Sequence, residues 1–191
     1  MNHHHFVLHK PYGYLSQFVN NQNRRKNKRL LGEIESFPDG TMSIGRLDEK
    51  SEGLLFLTTN GRESERIRSN QIEKEYYIEV DGIITQEAIA EMKAGVTISQ
   101  KRETYQTKPC EAHILKETPV FENSPRKVRS ENHGPTSCAS ITITEGKYRQ
   151  VRKMSAAVSF PTLRLVRVRV GGIKLNNLEA GKYYEVNKFE V

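Results

Sequence analysis

Residues 41–61, TMSIGRLDEKSEGLLFLTTNG, constrain the fold of this chain more than any other stretch. A short apolar run leads into Gly45-Arg46-Leu47-Asp48. The segment then leaves on Leu54-Leu55-Phe56-Leu57, a continuous apolar run of strand length closed by Asn60-Gly61. Asp48 thus falls in a loop between two segments that read as buried. A carboxylate in such a place serves either as a turn or cap residue or as a group held for chemistry.

The flanking chain supplies further short elements. Phe6–His9 reads as a strand that stops at Lys10-Pro11, because proline cannot continue a central ladder. Leu30–Phe37 reads as a short helix closed by Pro38-Asp39-Gly40, and Arg62–Ser69 as a helix whose main apolar contact is Ile67. KEYYIEVDG (74–82) alternates Tyr76, Ile78 and Val80 against Tyr77, Glu79 and Asp81, the period of a half-buried strand. Thr85 opens a helix that Gly95 ends, with Glu87 near its start. Strands are expected over Thr107–Leu115 and Ser140–Thr144, joined by a long three-proline loop, 116–137. KYRQVRKMSAAV reads as a helix with Tyr148, Val151, Met154 and Val158 along one face and Arg149, Arg152 and Lys153 on a neighbouring one. LRLVRVRV (163–170) reads as a strand with valines on one face and Arg167 and Arg169 on the other, and Tyr183–Val186 as a last strand. Strands and helices mix without a βαβ rhythm. The expected class is α+β, a mostly antiparallel mixed sheet with packed helices, in one domain spanning 1–191 with room for two lobes.

The charge balance points to a polyanionic partner. Thirty Lys and Arg stand against 23 Asp and Glu, a net charge of +7, and nucleic acid heads the candidates. Basic runs at Arg24, Arg25, Lys26, Lys28 and Arg29, and at Arg126, Lys127 and Arg129, suit backbone phosphates. Without a long apolar run or a secretion signal, the chain is expected to be cytoplasmic and away from membranes. Cys110 and Cys138 form no CxxC pair and are expected as reduced thiols; His3-His4-His5 is not expected to hold a metal.

GRLDxxSxGLLxLTxxG resembles the active-site motif of RNA pseudouridine synthases of the RsuA type, where the aspartate is catalytic. Three other segments resemble the same family in its order: HKPYGYLSQF the first motif, KEYY the second and EGKYRQVRKM the third. The resemblance runs from His9 to about Gly181. It implies the pseudouridine-synthase fold and a cofactor-free, metal-free isomerisation in which a C1′–N1 bond breaks and a C1′–C5 bond forms. It also implies roles: Asp48 as nucleophile, Arg152 paired with it, and Tyr76 against the target base. A buried carboxylate needs such a guanidinium to stay ionised, and an aromatic face offers stacking to an extruded base.

The implied RNA contacts are Arg46, placed to fill the vacated stack or hold a phosphate, together with Lys10, Arg24, Arg25, Lys26, Arg126, Lys127, Arg149, Lys153, Arg167 and Arg169. The bland alternative for Arg46 is a surface ion pair with Glu49 or Glu52. Many family members carry an N-terminal RNA-binding S4 module of about sixty residues, and this chain is expected to lack it. With Ser51 and KEYYIEV, that places the nearest resemblance at the E-type branch of the enzymes for the large ribosomal particle. Their substrate is a uridine in 23S ribosomal RNA, here expected to be acted on by a monomer. The rival readings are a non-catalytic RNA-binding or ribosome-assembly protein, and the same chemistry on 16S ribosomal RNA or transfer RNA. A glycoside hydrolase using Asp48 with Glu49 or Glu52 would leave the basic surface and Arg152 unexplained.

Overall fold

The computed structural model describes residues 3–19, 28–69, 71–101, 103–121, 124 and 128–191. In chain order its elements are β1 (His5–Lys10), β2 (Met42–Ile44), β3 (Glu52–Thr58), α1 (Gly61–Ser69), β4 (Lys74–Asp81) and α2 (Gln86–Ala94). There follow β5 (Thr97–Gln100), β6 (Glu103–Gln106), β7 (Glu111–Ile114), β8 (Thr136–Ile143), α3 (Gln150–Ala157), β9 (Thr162–Val170), β10 (Ile173–Lys174) and β11 (Tyr183–Glu185). The chain divides into two compact units, one of residues 1–72, 121–124 and 169–191, the other of 73–120 and 125–168. Among the described residues no helix is long and apolar enough to cross a membrane.

In the first unit β1 lies between β11 and β3, and β2 pairs with β3. All three pairings are antiparallel, with Val7 opposite Phe56 and Leu8 opposite Leu55. Every residue of β3 is buried, which is why its sequence runs apolar without alternating. The far end of the chain closes this core. Phe189, 1% exposed, stacks on Phe56 with ring centroids 4.6 Å apart and meets His5 edge-on at 5.3 Å. Its carbonyl accepts a hydrogen bond from Arg66 Nη2 at 3.2 Å, and the same guanidinium grips both oxygens of Glu63.

In the second unit the strand order is β9-β4-β8-β7. β4 buries Tyr76, Ile78 and Val80 and leaves the alternate positions half exposed, as its period predicts. α2 is bounded as the sequence signals say. Thr85 Oγ1 accepts from the Ala88 N–H at 3.2 Å, and Gly95, at φ +96, sends its N–H to the Met92 carbonyl. A side chain at Gly95 would stand 2.4 Å from the Thr107 carbonyl, so close approach as well as backbone conformation demands glycine there.

The structure corrects several expectations. Leu30–Phe37 forms only a 3-10 turn at Leu31–Glu33. The strand expected over Thr107–Leu115 is confined to β7, and an antiparallel hairpin of β5 and β6 precedes it. β8 begins at Thr136, inside the segment expected as loop. Helix α3 starts at Gln150 because Arg149 is left-handed at φ +53, so Tyr148 lies outside the helix and off its apolar face. On β9 the expected arginine face is not free: Arg167 is only 6% exposed, and Arg169 is half-buried with Nη1 on the Gly171 carbonyl at 3.0 Å.

Candidate active site

In the first unit the loop between β2 and β3 presents Asp48 on a fixed backbone. Gly45, at φ +70, turns the chain out of β2. Ser16 then holds Leu47 from both sides: its hydroxyl accepts from the Leu47 N–H at 3.0 Å and donates to the Leu47 carbonyl at 2.8 Å. Asp48 opens a turn closed by the Ser51 N–H on its carbonyl at 3.0 Å, a position that favours Asp. Beyond the turn, the Lys10 ammonium donates to the Ser51 carbonyl at 2.8 Å and to the Pro11 carbonyl at 2.9 Å. Anchors thus flank Asp48, which is itself half exposed, while Arg46 is exposed.

These anchors redefine Lys10. The sequence suggests an RNA contact, but the side chain is 0% exposed, and an ammonium so placed meets main-chain carbonyls instead of phosphates. It is a strut beneath the loop. The ion-pair alternative for Arg46 also changes: Glu49 takes Lys28 at 2.5 Å, and Glu52 accepts a hydrogen bond from Ser124. Among the described residues Arg46 makes no ion pair. Ser16 is a supporting residue that the sequence reading missed; a buried serine can be recognised only from what it touches. Ser16→Ala is expected to leave the Leu47 N–H and carbonyl unsatisfied, at a cost of about 1–3 kcal/mol. Asp48 is the next residue, so if its carboxylate carries chemistry, activity should also fall roughly ten-fold or more from misplacement. Urea unfolding and single-turnover kinetics on one preparation check both parts.

The second unit carries Tyr76, Arg149, Arg152, Lys153 and Arg167. Tyr76, 9% exposed, stands opposite Ile141 in the β4–β8 ladder. Two residues away, burial and then the charge of Arg167 hold the Lys74 ammonium below its ordinary pKa. Arg152 is oriented by two neighbours. Its Nη1 donates to the Thr162 carbonyl at 3.1 Å, and Ser155 bridges from the Arg152 carbonyl (3.3 Å) to Thr162 Oγ1 (2.6 Å). Lys153 Nζ reaches the Ser99 carbonyl at 2.5 Å. Arg129, from the second basic run, pairs with Asp81. Arg24, Arg25, Lys26, Arg126 and Lys127 lie outside the described residues.

Glu145 ties the hairpin to the start of α3. It accepts from the Tyr105 hydroxyl, from the Lys108 N–H at 2.9 Å and from Gln150 Nε2 at 2.7 Å. Burial opposes its charge, but these hydrogen bonds outweigh it and hold the carboxyl below the ordinary range. A depressed folded-state pKa stabilises the fold at pH values above the unfolded value of about 4.5. That contribution is lost as pH falls through the lower folded value. Glu145→Gln should therefore flatten the acid limb of stability against pH below about 4.5, read from urea midpoints at pH 3 and pH 7.

Both cysteines are free thiols, and burial pushes Cys110 up to about 11. Among the described residues no group of three or more His, Cys, Asp or Glu side chains is placed to hold a metal ion.

With this geometry in view, the comparisons with known proteins agree on one class. The model of the RNA pseudouridylate synthase family matches residues 4–157. The ribosomal large subunit pseudouridine synthase E of Vibrio vulnificus (strain CMCP6) is 33% identical over 95% of this chain and 74% of its own. The protein of the same name from Xanthomonas axonopodis pv. citri (strain 306) is 37% identical over 90% of this chain and 88% of its own. A crystal structure of a pseudouridylate synthase superposes with a TM-score of 0.75 at 26% identity, covering 96% of this chain and 70% of the other. The α+β arrangement is thus the pseudouridine-synthase fold. The chain belongs to the RNA pseudouridylate synthase family and, by its relatives, to the E type within it.

Proposed function

We propose that this protein isomerises one uridine of 23S ribosomal RNA to pseudouridine, as a monomer in the cytoplasm. The observation that carries the reading is the similarity, along at least nine-tenths of the chain, to enzymes named ribosomal large subunit pseudouridine synthase E. The anchored loop at Asp48 and the net charge of +7 support it.

In this reading the Asp48 carboxylate is the nucleophile, and the flanking hydrogen bonds hold its main chain in place for attack. Arg152 supplies the charge that keeps it ionised, and Tyr76 supplies the aromatic against the base. The uridine leaves its stack to be reached, with Arg46 filling the gap or taking a phosphate. Asp48 bonds to the substrate and is later released; the C1′–N1 bond breaks, the uracil turns, C1′–C5 forms, the C5 proton is lost and N1 takes up a proton. Reactant and product are isomers, so no external electron or group enters the balance.

The test maps pseudouridines across ribosomal and transfer RNA from a strain lacking this protein, complemented with wild type or Asp48→Asn. One 23S site lost in the deletion and restored by wild type alone is the expected result. A lost site in 16S or transfer RNA would move the substrate, and an unchanged map would overturn the enzymatic reading of this chain in favour of non-catalytic binding.

A further inference from the structure

Tyr148 takes no part in the mechanism above, yet it is built as though for contact. Its side chain is 68% exposed while its main chain is held on both sides. The Tyr148 carbonyl accepts from Gln100 Nε2 at 3.2 Å. Lys147 and Gln150 close a reciprocal pair, the Lys147 N–H to Gln150 Oε1 and the Gln150 N–H to the Lys147 carbonyl, each at 3.1 Å. Arg149 between them is locked at φ +53. A single exposed tyrosine on a loose loop would need no explanation. An exposed ring on a backbone this constrained has little conformational entropy left to lose on binding.

The surroundings specify the ligand. Lys153 Nζ lies over the Tyr148 ring, 5.2 Å from its centroid, and its other contact is the Ser99 carbonyl. One face of the ring thus carries a cation, and the exposure belongs to the rest. The motif repeats next door, where Lys147 Nζ stands 4.3 Å from the centroid of Tyr105. Aromatic rings interleaved with lysines suit single-stranded nucleic acid, whose bases stack while the phosphates between them meet ammonium groups.

We propose that Tyr148 is a stacking platform for an unpaired base of the substrate RNA other than the target uridine, with Lys147 and Lys153 serving the adjoining phosphates. The assignment rests on the RNA-modifying reading above. It makes Tyr148 a determinant of which RNA is held, separate from the residues proposed to carry the chemistry.

The experiment uses the full chain and a ribosomal RNA fragment containing the mapped uridine, prepared also with a single abasic substitution at each unpaired position in turn. Tyr148→Ala is expected to weaken binding of the intact fragment by about ten- to a hundred-fold. The loss should appear in Kd and KM, with kcat and the thermal midpoint little changed. Tyr148→Trp should restore binding. At one abasic position wild type should lose the same factor, and Tyr148→Ala should lose nothing more, because ring and base form one interaction. Lys147→Ala should instead lower the dependence of log Kd on log salt by about one ion. Wild type that isomerises the fragment while Tyr148→Ala matches it in Kd and KM would overturn this assignment alone. So would losses that multiply at every abasic position. Wild type that binds no RNA would overturn the assignment together with the function it rests on.

Discussion

Asp48→Asn is expected to reduce pseudouridine formation to background, a loss of roughly 10^4-fold or more for removal of the proposed nucleophile. The fold should not notice. Asparagine is also favoured at the first position of a turn, and the Ser51 N–H bonds to the main-chain carbonyl of residue 48, which the substitution leaves in place. Thermal midpoint and RNA affinity should therefore stay near wild type while turnover disappears, in single-turnover assays on the RNA found by mapping. Adding Arg152→Ala should cost little beyond the first loss if the two charges act as a unit; additive losses would count against the pairing. Asp48→Asn turnover above about a hundredth of wild type would remove the nucleophile assignment.

The largest expected effect on stability lies far from that loop in sequence. Phe189→Ala should cost the first unit about 3–5 kcal/mol. The ring is almost wholly buried against Phe56 and His5, and its removal leaves a cavity beside β3, the strand that leads away from the Asp48 turn. Urea unfolding followed by a probe in that unit should show the midpoint fall with little change in slope. Phe189→Leu, which keeps much of the volume, should cost considerably less.

These two residues mark what can be read from the chain and what cannot. The Asp48 loop was legible because its flanks are an apolar run and a glycine, which place it between two strands. β1, β4 and α2 were legible for local reasons: a proline stop, a clean alternation, and a threonine and glycine at the helix ends. The β5–β6 hairpin was hidden because it turns at Lys101, at φ +52, with no glycine or Asn-Gly signal to announce it. Tyr148 was misplaced because helical spacing assumes an unbroken helix, and one left-handed arginine ends that assumption. Lys10 and Arg167 looked like surface cations because composition cannot see burial. For Lys10, only its partners, the Pro11 and Ser51 carbonyls, reveal that it is structural. The closing role of Phe189 depends on contacts more than a hundred residues away, beyond the reach of any local pattern.

The burial of Lys10 also bears on how this protein could be controlled. Acylation of lysines is a common way to silence a basic surface, and it removes the charge of any ammonium a reagent or enzyme can reach. Lys50, exposed on the same loop, is open to it; Lys10 is not. Covalent modification could thus weaken the attraction for RNA step by step, while the support under Asp48 stays intact for as long as the first unit remains folded.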